Sequence, residues 1–443
     1  MIGLNPTLDR RQLLRLSALL GAAVVLPTTA CGGGDSSSGE LTVWDMLGGA
    51  DERWSDVMKQ YDLTFAAAGG GVQVDHINQT NDSTTYPQLL QSAFQAQSGP
   101  DVIMMQPAGD GVLTYAEGLR PLDDYISAEL MSAVSGWEDN SIDGSIYGAS
   151  LGIQGQVLYY NRALLQEAGL NPDDPPRTYA DLLAACSRLQ AAGIVPIAGG
   201  NGATGDLSVW VFSTLFPGVA TPEDAAALGA NEISFSDDRV VRTVEAYAQL
   251  VEEGHFGDTV LADDLDTGVQ NFQLGRGAFS FCIATALSVF SDGGGVEGLT
   301  GVGVDNLGTV VGMGLDSDDA NYIPVGPNIT WTMPEFTEQT ETAGAYIAGT
   351  LALDVQQQLY NDAGWLPSNS EVDFTSGPGE RYPAMIPMLD ALLDAPVTQL
   401  PAHQLWPAAT AGEFKRQMQS VLNGSSSISQ ALEGVQTVHD QQS

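Results

Sequence analysis

The first hundred residues alternate short apolar runs with amphipathic helical stretches, and this alternation constrains the fold more than any other feature. Residues 41–44, 72–77 and 101–105 are apolar or alternate as β-strands do. Between them, residues 54–67 and 86–97 place apolar side chains at the spacing of an amphipathic helix. Strand, helix, strand, helix, strand in this order predicts an α/β fold with a parallel, doubly wound sheet.

The rest of the chain continues to mix helical and extended patterns. Residues 146–161 are apolar and extended, with Gln154 and Gln156 set among them, and Thr178 is the expected N-cap of a helix at 180–192. Another helix is predicted to begin with residues 122–126. Further helices are predicted at 206–216, 238–253, 335–353, 355–363 and 413–422. Further strands are predicted at 194–197 and 277–283. No internal repeat is evident, which argues against a solenoid.

The charge of the chain excludes whole classes of partner. The chain carries 15 Lys and Arg against 55 Asp and Glu, a formal net charge of −40. Phosphate backbones and anionic lipids attract basic surfaces, so this composition excludes nucleic-acid binding and direct electrostatic attachment to lipid. Cys186 and Cys282 are far apart in sequence, and they are either two buried free thiols or a disulfide formed outside the cell.

Residues 1–39 are predicted to be an export signal followed by a flexible tether. A pair of arginines precedes the apolar run at 16–26, which is shorter than the roughly 20 residues that span a bilayer. The arginine pair resembles a twin-arginine signal, and Cys31 after a small residue resembles a lipoprotein acceptor. The alternatives are an ordinary cleaved signal or a single membrane anchor. The Gly- and Ser-rich residues 32–39 form the tether.

Several catalytic motifs are missing from the sequence. No Lys follows a Walker-type glycine loop, the four histidines form no HExxH pattern, and no GxSxG elbow is present. The acidic residues 316–321 lack the Gly and the late Glu of an EF-hand, so they favour a surface loop over a Ca²⁺ site.

A series of short segments, in a characteristic order, carries a family resemblance. They include Leu-Thr-Val-Trp at 41–44, Gly-Pro-Asp-Val at 99–102, Asp-Gly-Ser-Ile-Tyr-Gly at 143–148, Leu-Tyr-Tyr-Asn-Arg at 158–162, Phe-Gln-Leu-Gly-Arg-Gly-Ala at 272–278 and Gly-Trp-Leu-Pro-Ser at 364–368. Each segment alone is weak evidence of a family, but the segments are spread in order over most of the chain. In this order they resemble the extracellular solute-binding proteins of ABC importers, the sugar-binding family that contains maltose-binding protein.

The resemblance implies a type II periplasmic-binding-protein-like fold, with two lobes, a ligand cleft and a hinge. Lobe one is expected at residues 40–150 plus 306–354, and lobe two at residues 151–305 plus 355–443. Proteins of this family bind a solute without chemistry, so the resemblance implies no enzyme activity and no cofactor. It also implies that the protein passes a sugar or oligosaccharide to the permease subunits of an ABC transporter. Together with the predicted leader and Cys31, this leads us to expect a monomer that is lipid-anchored on the outer face of the cytoplasmic membrane.

The resemblance, combined with the chemistry of sugars, indicates candidate ligand-binding residues. Aromatic rings cover the C–H face of a sugar, while amides and carboxylates bond its hydroxyl groups. The candidate platforms are Trp44, Trp210, Trp365 and Trp406, and the candidate hydroxyl partners are Asp45, Gln106, Gln154 and Asn328. Each has a plain structural alternative, either a core tryptophan or a polar group that is solvated or bonded within the protein. Residues 200–205 match GxGxxG, but the resemblance favours a loop with backbone N–H groups at the cleft over a dinucleotide site.

The sequence departs from the family pattern at two places. Phe279 and Thr285 stand where relatives often have Met and Trp. Residues 106–108 lack an acid that maltose-binding protein uses nearby. The resemblance therefore does not carry maltodextrin specificity over to this chain.

Two other functions are alternatives. A secreted glycoside hydrolase needs two carboxylates at a set separation, and the sequence has no hydrolase motif. A solute-binding protein for a non-sugar ligand, such as a glycerophosphodiester or a peptide, is the other alternative. A phosphate would need cations in the cleft, and the candidates are Arg53, Arg120, Arg162 and Arg381.

Overall fold

The computed structural model describes residues 39–47, 52–69, 72–79, 85–107, 111–202, 204–293, 300–315, 319–393 and 398–442. All of them lie in one compact unit, Gly39–Ser443. The predicted export signal, the candidate lipid acceptor Cys31 and most of the tether lie outside the described residues, as does part of the acidic loop at 316–321. None of the described helices is both long enough and apolar enough to cross a membrane.

The alternation at the start of the chain builds a five-stranded sheet, called sheet one. Its strands lie in the order β2 (Gln73–Asn78), β1 (Glu40–Asp45), β3 (Val102–Met105), β11 (Thr330–Thr332) and β6 (Ala149–Ser150). β1 is parallel to both β2 and β3, as predicted, whereas β11 is antiparallel to β3 and β6. The carboxyl ends of the three parallel strands therefore meet at one edge of sheet one.

Helices α1 (Glu52–Ala68) and α2 (Thr85–Ala96) connect these parallel strands. The buried residues of α1 recur at the spacing of one helix face, as expected for an amphipathic helix: Trp54, Val57, Met58 and Tyr61. This face packs on sheet one and shares its core with α12 (Thr340–Thr350).

A second five-stranded sheet, sheet two, is built around the long strand β7 (Ile153–Asn161). Its path is β12 (Thr398–Gln399), β10 (Ile323–Pro327), β7 and β8 (Phe279–Ile283), and β9 (Leu307–Val310) also pairs with β7. β7 is antiparallel to β8, β9 and β10. From its second residue onward β7 is buried on both faces, which explains its nearly continuous apolar sequence.

The helix at Tyr179–Ala191 begins after Thr178, whose hydroxyl accepts a hydrogen bond from the Asp181 N–H, so the predicted N-cap is confirmed. The remaining helices cover the two sheets. They are α3 (Val112–Tyr115), α4 (Ala128–Ala133), α5 (Arg162–Glu167), α6 (Tyr179–Ala191), α7 (Asp206–Leu215), α8 (Pro222–Gly229), α9 (Asp238–Glu252), α10 (Leu265–Gln273), α11 (Leu287–Asp292), α13 (Leu353–Gln358), α14 (Pro378–Arg381), α15 (Met385–Leu393), α16 (Ala408–Leu422) and α17 (Ile428–His439). The short strands β4 (Ser141–Ile142) and β5 (Ser145–Ile146) form a hairpin.

Cys186 and Cys282 are buried free thiols, so the disulfide alternative is excluded in this structure. Cys186 shares a core cluster with Leu158 of β7, whereas Cys282 packs with Val157, on the other face of the same strand. Burial raises the pKa of each thiol to about 12, which makes both unreactive at neutral pH.

Three sequence predictions of local structure are wrong. Residues 122–126 form turns, and the next helix is α4. Residues 194–197 form a single bridge to β8 rather than a strand. The helix predicted at 335–353 begins only with α12, because the hydroxyl of Thr337 bonds the carboxylate of Asp101 and holds the preceding segment out of the helix.

Among the described residues the chain passes between the two sheets at three places. The first crossing is at residues 151–152, between β6 and β7, and the second is at 328–329, between β10 and β11. The third is at 365–366, where Trp365 packs in the core of sheet one and Leu366 in that of sheet two. The lobe boundaries stay a prediction, although the pairing of β9 and β10 with β7 favours assigning residues 306–327 to lobe two.

Candidate functional site

The three crossings lie side by side and are bonded to one another. The backbone N–H groups of Leu151, Asn328 and Ile153 donate to the carbonyls of Ile329, Gly152 and Leu366, at 3.0, 2.7 and 2.9 Å. Ser368 Oγ also donates to Ser150 O at 2.7 Å. Short extended connections of this kind absorb a change of backbone angle more readily than packed helices, so we expect the hinge between the sheets to lie at the crossings.

The strand registers bring three of the predicted polar residues to the second crossing. β11 pairs with the last residue of β3, so Gln106 follows directly at the carboxyl edge of sheet one. Gln154 on β7 pairs with Gly326 on β10, two residues before Asn328. Gln106, Gln154 and Asn328 therefore gather where the chain leaves one sheet for the other, and we call them the crossing amides.

The side chains of the crossing amides are partly or fully buried, yet the described residues do not bond them. Gln154 is 6% exposed and Asn328 is 5% exposed, while Gln106 is half-buried. Within the described ranges, none of the three side-chain amides has a hydrogen-bond partner. An amide both donates and accepts, so a group of unused amides at the junction of two sheets is suited to binding a hydroxylated molecule.

Asp45, which was predicted to bond ligand hydroxyl groups, instead makes its hydrogen bonds to other groups of the protein. Its carboxylate is 1% exposed and accepts from Trp54 Nε1 at 2.9 Å and from Leu47 N at 2.6 Å. His76 Nε2 lies 3.1 Å from the same carboxylate. A buried carboxylate needs such partners, and here they leave almost no surface for a ligand. Asp45 fastens the start of α1 to the end of β1.

His76 lies between two carboxylates beneath this edge of sheet one. Its Nδ1 is 2.8 Å from Asp62 Oδ2, and the hydroxyl of Tyr346 donates to Asp62 Oδ1 at 2.7 Å. Burial alone would lower the pKa of His76, but the hydrogen bonds to Asp45 and Asp62 raise it, to about 9. The imidazole is therefore protonated at neutral pH and balances part of the buried negative charge.

Trp44 and Trp210 keep part of their surface exposed, as a ligand platform requires. Trp44 is half-buried on β1 and lies on the sheet face opposite to Leu41 and Val43. Trp210 is half-buried on α7, packed between two core clusters of the part of the chain that contains sheet two. Each can offer an aromatic face to a sugar ring.

Trp365 and Trp406 are core residues in this structure. Trp406 is 0% exposed, with ring centroids 5.4, 5.0 and 5.0 Å from those of Phe212, Phe235 and Phe414. Trp365 is 8% exposed, lies 4.7 Å from the ring of Trp54 and donates from Nε1 to Leu151 O at 3.3 Å. The three phenylalanines enclose the ring of Trp406, which leaves it no surface for a platform role, whereas Trp365 keeps a small exposed part and its platform role stays a prediction.

The glycines of residues 200–205 are explained by close packing. A Cβ on Gly200 would collide with the backbone carbonyl of Asp264, and one on Gly202 would lie 2.8 Å from Ala262 O. Gly205 caps α7 with φ of +73°, a conformation that favours glycine. These contacts account for the GxGxxG pattern without a phosphate, so the dinucleotide interpretation has no support.

Two further buried glutamines were not among the candidate residues predicted from the sequence. Gln156 and Gln404 each bury a side-chain oxygen that has no hydrogen-bond partner in the described part of the chain. The alternation of β7 could have indicated Gln156, because it lies two residues after Gln154 and so on the same face. No sequence signal points to Gln404, which a short turn at Ala402–Leu405 brings to sheet two.

Comparison with known proteins identifies the family to which the chain belongs. The profile of the bacterial extracellular solute-binding proteins matches residues 60–387, and the chain belongs to this family. The chain is 23% identical over 242 residues to the sn-glycerol-3-phosphate-binding periplasmic protein UgpB of Agrobacterium fabrum. That match covers 49% of this chain and 51% of the relative, so the chain spans about half the length of that relative.

Solved structures of low identity share the fold. A chitin oligosaccharide binding protein matches with a TM-score of 0.79 and 21% identity, covering 91% of this chain and 98% of that one. The maltose-bound MalE3 of T. maritima matches with a TM-score of 0.72 and 19% identity, covering 91% of this chain and all of that one. At these identities the likeness shows the fold alone, the periplasmic-binding-protein-like α/β fold with two lobes.

Proposed function

We propose that the protein is the substrate-binding component of an ABC importer, which captures a sugar or oligosaccharide between its two lobes and delivers it to the membrane permease. The observation that carries the proposal is the group of crossing amides, which lie at the junction of the sheets and have no side-chain partners in the part of the chain that the structure describes. Membership of the solute-binding family supports the transport role. Neighbours in fold that are named for chitin oligosaccharide and maltose support the ligand class.

The chemistry of the crossing amides explains how capture works. Gln106 follows a strand of sheet one, while Gln154 belongs to sheet two. A polyhydroxylated ligand that bonds both amides makes contacts that exist only when the sheets are close together. Such contacts shift the equilibrium toward the closed form by the differential binding free energy. Trp44 and Trp210 add aromatic faces for the sugar ring.

A phosphorylated solute is the second candidate, favoured by the similarity to UgpB. Three of the four arginines considered for a phosphate make ion pairs or hydrogen bonds within the protein, and the fourth, Arg381, is exposed. Arg53 pairs with Asp292 at 3.0 Å, Arg162 pairs with Asp173, Arg120 Nη2 donates to Glu335 O at 2.7 Å, and the Arg381 guanidinium lies 5.8 Å from the centroid of the Tyr382 ring. With a net charge of −40, these contacts favour a neutral ligand over an anion.

Isothermal titration of the protein without its leader tests the ligand class. The panel contains chitin, malto- and xylo-oligosaccharides together with sn-glycerol-3-phosphate. We expect at least one neutral saccharide to bind and to raise the melting temperature, because a ligand that binds only the native state stabilises it. Gln154→Ala should weaken that binding at least tenfold, whereas Gln88→Ala, an exposed glutamine on α2, should not change it. Binding of the phosphate alone would overturn the carbohydrate assignment.

We also propose that Cys31 is lipidated after export through the twin-arginine route, so that a monomer is held at the outer face of the cytoplasmic membrane. The sequence pattern at the start of the chain supports this proposal. Labelled palmitate should enter the wild type and not Cys31→Ser, which should be released from the membrane. Unchanged membrane retention of Cys31→Ser, or a stable dimer in light scattering, would contradict it.

The proposed role is binding without chemistry. Labelled oligosaccharides should be recovered intact after prolonged incubation with the protein, while cleavage products would favour the glycoside hydrolase alternative. A hydrolase would need an acid and a second carboxylate across the bound sugar. Asp45, the acid first considered at this site, is bonded within the protein instead.

A further inference from the structure

Two glutamine side chains, one on β7 and one in the turn Ala402–Leu405, bury an acceptor that the described residues do not satisfy. Gln156 is 1% exposed and Gln404 is 8% exposed. In the part of the chain that is described, the Oε1 atom of each has no hydrogen-bond partner. A buried acceptor without a donor destabilises a fold, and such groups are rare in native proteins unless a water or a ligand completes them.

Gln156 lies on the same face of sheet two as the crossing amide Gln154, because alternate residues of β7 point to the same side. Helix α7 covers this face, since its Leu207 shares a core cluster with Leu158, the next residue of β7 on that side. Trp210, which has part of its surface exposed, belongs to the same helix. One face of sheet two therefore presents two amides beneath a helix that carries a tryptophan.

The turn that carries Gln404 lies against helix α7, the helix that covers this face. The turn is held to α7 by a hydrogen-bond-distance contact of 2.7 Å between His403 Nδ1 and Ser213 Oγ. Ser213 lies three residues after Trp210, so both are on one side of the helix. A few residues before the turn, Leu400 packs against Gly326, the partner of Gln154 in the sheet.

We infer that Gln156 and Gln404 are specificity-determining residues of the solute site, each accepting a hydrogen bond from a hydroxyl group of the bound sugar. The inference deepens the proposed carbohydrate-binding function and rests on it. Two unsatisfied acceptors need two donors, and the O–H groups of a polyhydroxylated ligand supply them, whereas a phosphate dianion itself has no O–H group to donate. The site therefore selects a ligand with at least two free hydroxyl groups.

The test is the substitution of each glutamine by methionine, which keeps the length of the side chain and removes the acceptor. In the absence of sugar, Gln156→Met and Gln404→Met should melt at or above the wild-type temperature, because an unsatisfied acceptor has been removed. Binding of the saccharide from the chitin, malto- and xylo-oligosaccharide panel that the wild type binds best should weaken tenfold or more in each variant. Gln88→Met, a matched change on the surface of α2, should alter neither measurement.

The outcomes separate the inference from the proposed function. If the wild type binds no saccharide of the panel, the carbohydrate function fails and the inference fails with it. If the wild type binds but both methionine variants bind equally well, an internal water completes the two acceptors and the inference alone is overturned. If one methionine variant does not fold, the sugar affinity of the other still tests the inference, because the two side chains belong to different elements of the fold.

Discussion

The guanidinium of Arg53, near the start of α1, lies 3.0 Å from the carboxylate of Asp292 at the end of α11, measured from Nη2 to Oδ1. The helix of Arg53 packs in the core of sheet one, and the helix of Asp292 packs in that of sheet two. Tyr382 joins the pair, since its hydroxyl accepts from Arg53 and donates to Asp292 Oδ2 at 3.2 Å. The ion pair therefore links a helix packed on sheet one to a helix packed on sheet two.

Replacing Arg53 by Gln removes the ion pair with Asp292 and should make it easier for the two sheets to move apart. A partly exposed ion pair contributes about 0.5–1 kcal/mol, so the closed form should lose that much and solute affinity should fall by at most about fivefold. Small-angle X-ray scattering of the unliganded variant should give a larger radius of gyration. Arg162→Gln is the control, because Arg162 and its partner Asp173 are on the same side of the hinge. An unchanged radius of gyration in Arg53→Gln would show that the ion pair does not hold the two sheets together.

The network around His76 should make stability depend on pH in the alkaline range. The folded-state pKa, about 9, lies above the ordinary value of 6.5. The stabilisation is therefore fully present below about pH 6.5 and is lost as the pH rises through 9. Between pH 7 and pH 10 the free energy of unfolding should fall by on the order of 2 kcal/mol. Urea titrations should show this loss in the wild type and a much flatter profile in His76→Asn.

Trp406→Ala should act on folding rather than directly on the ligand. The ring is 0% exposed among three phenylalanines, so its removal leaves a large cavity and should cost roughly 3–5 kcal/mol of stability. Trp44→Ala removes a half-buried ring and should cost less stability while it weakens sugar binding. Chemical denaturation and titration of both variants measure the two effects. A Trp406→Ala variant of normal stability with lost binding would restore the original platform role.

The crossings should tolerate no added side chain at Gly152. A Cβ there would collide with the carbonyl of Leu366 and with Trp365 Nε1, which belong to the third crossing. Gly152→Ala should therefore destabilise the protein and disturb hinge motion. Gly412→Ala, in the exposed middle of α16 where a Cβ meets nothing, should stabilise by about 0.5–1 kcal/mol. Equal melting temperatures for the two variants would show that the crossings are not tightly packed.

Much of the fold could be predicted because its signals are local. The parallel pairing of β1 with β2 and β3 follows from strand–helix alternation, and the N-cap at Thr178 follows from side-chain chemistry. The helix predicted at 335–353 was placed too early, because the competing bond from Thr337 goes to Asp101, which is remote in sequence. The same limit applies to the site. Gln106 and Gln154 could be proposed from their strand positions, whereas the commitment of Asp45 to Trp54 and His76 could not.

The amino-acid sequence by itself determined the α/β class, the strongly acidic character and the family resemblance, because composition, periodicity and motif order are properties of neighbouring residues along the chain. Only the tertiary structure decided which polar and aromatic groups remain available to a solute. Whether Trp406 is a platform or core, and whether an amide such as Gln156 has a partner, depends on contacts between residues that are far apart in the chain. Those contacts exist only after the two sheets have packed.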